Sequence, residues 1–157
     1  MRMRHITIGA LATLGLVLGL SALAGAQGAG NKALFAVLTG AKEVDANGDR
    51  GAGDRNGRGS FSATLDGREL CWGIQVKNIE NPVDAHIHRG GPDVAGPVVV
   101  PLEEPDAGDP GTSTGCEDLT ASLARRIRSF PRRFYVNVHT ADFPGGAVRG
   151  QLFARSR

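Results

Sequence analysis

The sequence predicts an all-β sandwich or barrel with one short helix, and three observations lead there. Apolar and polar residues alternate on both sides of Asp66-Gly67. Short apolar runs recur between clusters of Gly, Pro, Asp and Asn, and only one stretch has helical spacing.

The first strand is expected at Leu34 to Leu38. The following polar stretch, Asp45 to Gly59, offers little apolar surface to bury and reads as a long mobile loop. Gly59 to Leu65 puts Phe61, Ala63 and Leu65 on one face, and Leu70, Trp72, Ile74 and Val76 resume the pattern after Asp66-Gly67. Alternation, Asp-Gly, alternation is a hairpin signature, with Trp72 as a core anchor. Val83 to His88 and Val98 to Leu102 follow as strands around Arg89-Gly90-Gly91-Pro92. Glu103 to Asp118 reads as an acidic, turn-rich connection. Leu119, Leu123 and Ile127 are spaced for a helix over Thr120 to Ser129, capped by Asp118 or Thr120 and ended by Phe130-Pro131. Phe134 to His139 and Ala147 to Phe153 complete seven or eight strands around Pro144-Gly145-Gly146.

Arg2 and Arg4, the apolar run Ile6 to Ala24 and the Ala24-Gly25-Ala26 tripeptide have the layout of a secretory signal peptide. A retained membrane anchor is the competing reading of this run, against which stand its internal glycines and cleavage tripeptide. The expected organisation is a signal at 1–26, a linker at 27–32 and one domain at 33–157, secreted and without a membrane span once the signal is removed. Cleavage removes two of the 18 basic residues, which brings them level with the 16 acidic ones. Overall charge therefore gives no support for nucleic-acid binding. No strand-to-helix phosphate loop or Gly-x-Ser-x-Gly elbow occurs, which disfavours nucleotide-dependent and hydrolase chemistry. Cys71 and Cys116 fit one disulfide in an exported chain, with two buried thiols as the alternative.

The histidines concentrate in two places. In Ala85-His86-Ile87-His88, residues two apart share a strand face, so His86 and His88 project together. His139, on a face with Tyr135 and Asn137, is the remaining imidazole outside the signal segment. If its strand lies beside that of His86, three imidazoles converge on a site suited to copper or zinc. Hydrogen bonding to Asp84, Asp142 or backbone carbonyls, or pH sensing, accounts for the same residues without a metal.

Arg125, Arg126, Arg128, Arg132 and Arg133 form a basic cluster around the helix, read as a solvated face or a contact for a cell-envelope polyanion. Glu103, Glu104, Asp106 and Asp109 offer it opposite charge. Arg149 reads as a strand-surface charge. Asp45-x-Asn47-Gly48-Asp49 is part of a calcium-loop pattern that turn chemistry explains.

Leu38-Thr39-Gly40-Ala41-Lys42-Glu43-Val44, Ala85-His86-Ile87-His88-Arg89-Gly90 and the run from Tyr135 to Gln151 together resemble the CHRD domain over about residues 33 to 153. Asp45-Ala46 stands where the family often has prolines, and Ala147 where it often has Glu. The resemblance implies an immunoglobulin-like or superoxide-dismutase-like Greek-key β-sandwich or barrel. It also implies a secreted binding or structural module of the cell exterior, whose partner is an extracellular protein or cell-envelope polymer. His86 and His88 look like the dismutase His-x-His copper pair, and Val138-His139 like its later Val-His ligand. No further histidine supplies the dismutase's bridging ligand or its zinc site. A copper- or zinc-binding, oxidoreductase-like or metal-handling protein is the alternative, and an adhesive module with structural histidines a third.

Overall fold

The computed structural model describes residues 30–155, so the expected signal at 1–26 lies outside the described residues. Nine strands surround one apolar core: β1 (Lys32–Thr39), β2 (Arg58–Asp66), β3 (Glu69–Lys77), β4 (Pro82–Arg89), β5 (Val98–Leu102), β6 (Gly111–Asp118), β7 (Phe134–Thr140), β8 (Val148–Gln151) and β9 (Phe153–Ala154). The single α-helix among the described residues, α1 (Ala121–Ser129), joins β6 to β7. Pairing is antiparallel throughout in the order β5-β4-β7-β8-β1-β2-β3-β6, and β9 also pairs with β1. The connections from β3 to β4 and from β6 to β7 pass between the two ends of that order, a Greek-key path. The result is a nearly closed antiparallel barrel.

Local chemistry explains most of these elements. In β2 and β3, Phe61, Leu65, Leu70, Ile74 and Val76 are buried on alternate positions, as the period-two pattern requires. Asp66 pairs with Glu69, leaving Gly67-Arg68 as the turn, and Gly67 takes φ 54°, a left-handed conformation that favours glycine. Thr120 caps α1 by accepting from Leu123 N at 3.2 Å, and the helix buries Ala124 and Ile127.

Three expectations are corrected here. Gly111 to Asp118 is a full strand and not a turn-rich connection. Its inward residues are Gly111, Ser113 and Gly115, which give no hydrophobic period, because Trp72 fills the space that larger side chains would need. Gly115 pairs with Trp72, and a Cβ on it would meet the indole at 2.6 Å. The Ala147 to Phe153 run divides into β8 and β9 around Leu152, whose N–H turns to bond Phe134 O at 2.9 Å. The Asp45 to Gly59 loop is fastened down rather than loose. Gly51 N donates to Glu43 O and Asp54 N to Ala147 O, both at 2.8 Å, and Gly53 and Gly57 are buried. Its Asp45 carboxylate accepts from the N–H groups of Asn47 and Asp49 at 2.8 and 2.9 Å, the turn chemistry anticipated for that segment.

Cys71 and Cys116 face each other in the β3–β6 register and form a disulfide that spans 45 residues of sequence. A closed loop of that length removes roughly 4 kcal/mol of denatured-state entropy in the chain-entropy model. Replacing both cysteines by serine is expected to lower the unfolding free energy by about 2 to 4 kcal/mol in urea titration, with the fold retained.

Candidate metal centre and its buried polar layer

The outer face of β4, β7 and β8 carries the chemistry. The registers pair Asp84 with His139, His86 with Asn137, His88 with Tyr135, and Asn137 in turn with Arg149. The condition for bringing His139 to the His-x-His pair is thus met by adjacent strands. One nitrogen from each of His86, His88 and His139 lies within 4.8 Å of the others.

Hydrogen bonds decide which nitrogens face the centre. His88 Nδ1 lies 2.8 Å from Gly96 O and His139 Nδ1 lies 2.9 Å from Pro144 O. A carbonyl only accepts, so both Nδ1 atoms carry the proton, and in the neutral rings both Nε2 atoms are bare lone pairs. His86 is oriented the other way: its Nε2 lies 2.9 Å from Asp84 Oδ1, which leaves Nδ1 bare in the neutral ring. The bare His86 Nδ1 and His139 Nε2 are 3.2 Å apart, and His88 Nε2 is buried with no protein partner. Burial holds the pKa of His86 below the ordinary imidazole value despite the opposing Asp84 charge. Burial does the same for His88 against the Gly96 carbonyl, reinforced by His86, His139 and Arg149. Both effects favour the neutral, ligand-competent ring.

Beside the imidazoles lies a buried polar layer that the sequence did not disclose. Arg149, expected at the surface, is 1% exposed. The Gly40 to Asp54 segment and the Gly90 to Pro97 segment cover the sheet there, joined over it by an Arg50–Asp93 salt bridge. Arg149 Nη2 donates to Gly91 O at 2.7 Å and Val94 O at 3.1 Å, and its Nη1 faces Glu43 Oε1 at 3.8 Å. The guanidinium carbon stands 3.4 Å from the centroid of Tyr135, whose ring stacks on His88 at 4.7 Å and 10°. Because β7 lies between β4 and β8, Tyr135 links the imidazoles to Arg149. Glu43 is buried against Gly146, where φ is 135° and a Cβ would run into the carboxylate, so only glycine fits. Burial raises the Glu43 pKa to about 7, against the lowering influence of Arg149 and of hydrogen bonds from Val44 and Asn137.

Several anticipated features lie elsewhere. Of the five clustered arginines, Arg128 is taken up by the carbonyls of Gly30, Leu65 and Gly67, whereas Arg125, Arg126, Arg132 and Arg133 are exposed. No salt bridge among the described residues joins them to Glu103, Glu104, Asp106 or Asp109. A polar cleft of about 960 Å³, lined by residues that include Asp54, Arg58 and Glu80, contains none of the histidines. The covering of Arg149 and Glu43 left no mark in periodicity. The nearest clue was the density of glycines at Gly40, Gly53 and Gly146, each of which admits a close approach.

A family model described as the CHRD domain matches residues 34–152. No curated protein matches the chain.

Two outcomes follow from the polar layer. Glu43 has a folded pKa above its unfolded value near 4.5, so its contribution to stability is full below pH 4.5 and is lost as pH rises through about 7. Glu43→Gln is expected to flatten this decline, worth roughly 3 kcal/mol, in unfolding free energies measured between pH 4.5 and 7. Arg149→Ala leaves Glu43 buried without its counter-charge and is expected to cost about 3 to 5 kcal/mol at pH 8, read from denaturant midpoints.

Proposed function

Because the chain belongs to the CHRD domain family, we propose that it is a secreted binding or structural module of the cell exterior whose His86, His88 and His139 hold one copper or zinc ion. The observation that carries the metal assignment is the convergence of one ring nitrogen from each of three imidazoles within 4.8 Å, two of them 3.2 Å apart. With both rings neutral, the His86 Nδ1 and His139 Nε2 lone pairs repel each other at that distance, and a cation between them turns the repulsion into coordination. Three imidazoles suit copper or zinc by donor type. The outer nitrogens are bonded to Asp84 and to the Gly96 and Pro144 carbonyls, the kind of support that fixes the tautomer of a metal-bound imidazole and raises its basicity.

An exterior location is supported by the disulfide and by the occurrence of CHRD domains in extracellular proteins. The metal-handling or oxidoreductase-like alternative draws on the same ligands. It is favoured by one feature, the partial exposure of His86 and His139, which leaves that side of the site reachable from solvent while His88 is buried. A bound ion would supply Lewis acidity or, for copper, one-electron chemistry.

The test is metal titration of the purified chain at pH 7.5 with copper and with zinc. One equivalent is expected to bind at micromolar affinity or tighter. His86→Ala and His139→Ala should each weaken binding at least tenfold, and lowering the pH through the imidazole range should release the ion. Absence of saturable binding for either metal defeats the proposal. Decay of superoxide by the copper-loaded chain separates the oxidoreductase-like alternative from a structural or storage role.

A further inference from the structure

We propose that the arginine-rich end of the domain docks on an anionic lipid bilayer, with Phe130 as the side chain that enters the interface. This inference stands independently of the metal site. The surface is made by α1 and the 3-10 turn Pro131–Arg133 that follows it. With Ala124 and Ile127 turned inward, Arg125 and Arg126 face solvent, and the turn sets Arg132 and Arg133 beside them. None of these four forms a salt bridge among the described residues. Phe130 lies in their midst, 55% exposed, with the Arg133 guanidinium 5.1 Å from its ring centroid. Free arginines around a projecting aromatic ring are the composition of an interfacial contact, in which the ring enters the acyl boundary and the cations meet anionic headgroups. A soluble polyanion without rings to stack, such as polyphosphate, would use the arginines but would have no use for the exposed ring.

The chain's route supplies an independent argument. Arg128 Nη1 donates to Gly30 O, so the described chain begins against α1. The apolar run ending at Ala24 is separated from Gly30 by five residues, six steps of chain with a reach of at most about 22 Å. On the competing reading, in which this run is retained as a membrane anchor, the bilayer that holds it lies within reach of the arginine face. His139 lies five residues along β7 from Phe134, about 17 Å from that end, while His88, opposite Tyr135 and nearer to that end, is buried. The acidic pair Glu117 and Asp118 precedes α1, at the opposite end of the helix from Phe130.

The experiment is co-sedimentation of the full chain with vesicles of phosphatidylcholine alone and with phosphatidylglycerol added. The neutral vesicles measure what the apolar run does by itself, which is the same in every variant. Phosphatidylglycerol is expected to raise wild-type binding, and each arginine replaced in Arg125→Gln/Arg126→Gln and Arg132→Gln/Arg133→Gln should lower that increment about fivefold. Phe130→Ala should lower it as well, with thermal unfolding of all variants unchanged. An increment insensitive to the arginines overturns the proposal. An increment that falls with the arginines yet is untouched by Phe130→Ala, and is abolished by competing polyphosphate, overturns it in favour of a soluble polyanion.

Discussion

The antiparallel pairing of β4 with β7 is the constraint on which the candidate site depends. Its register puts Asp84 opposite His139, His86 opposite Asn137 and His88 opposite Tyr135. A slip of one residue would turn His86 and His88 into the core and Ala85 and Ile87 to the outside, since side chains alternate between faces. The apolar demand of Ala85, Ile87, Val136 and Val138, all fully buried, therefore fixes the polar constellation on the opposite face. Core packing chooses the register, and the imidazoles follow from it.

That outer face would be an ordinary solvated sheet surface without its two covering segments. They bury Arg149, Glu43, Asn137 and Tyr135 into a second, polar layer. Removing a guanidinium and a carboxylate from water is costly, and their separation of 3.8 Å offsets only part of that cost. Backbone carbonyls of Gly91 and Val94 and the face of Tyr135 supply further partners for the cation. Tyr135 joins this layer to the metal centre, because the ring beneath Arg149 is also the ring on which His88 stacks. The orientation of one ligand imidazole is thus tied to a buried ion pair, and through it to the loops that cover the face.

β7 spans the molecule between its two exterior chemistries. It starts beside the arginine-bearing turn and carries His139 next to its last residue, Thr140, with His88 opposite Tyr135 near its start, so one strand runs from a cationic, aromatic surface along the imidazole cluster. The family assignment covers both ends but speaks for the domain as a whole. Side-chain chemistry distinguishes the ends: guanidinium groups without a salt bridge among the described residues and a projecting ring at one, imidazoles anchored by outer hydrogen bonds at the other.

Much of this was written along the chain. Alternation in β2 and β3, the glycine of their turn, the helical spacing of α1 and the shared face of His86 and His88 are local properties, set by neighbours a few residues away. So the fold class, the hairpin and the pair of imidazoles were legible. β6 was hidden because its inward residues are small beneath Trp72, and a period in hydrophobicity cannot reveal a strand whose partner fills the core for it. Arg149 was misread for a related reason: periodicity reports which face a side chain takes, while burial of that face depends on what distant segments lay over it. The sequence alone determined which residue types were available and which faces they share. Tertiary structure decided that His139 meets His86, that the disulfide bridges paired strands and that a charged residue lies in the interior, because each depends on contacts between segments far apart in the chain.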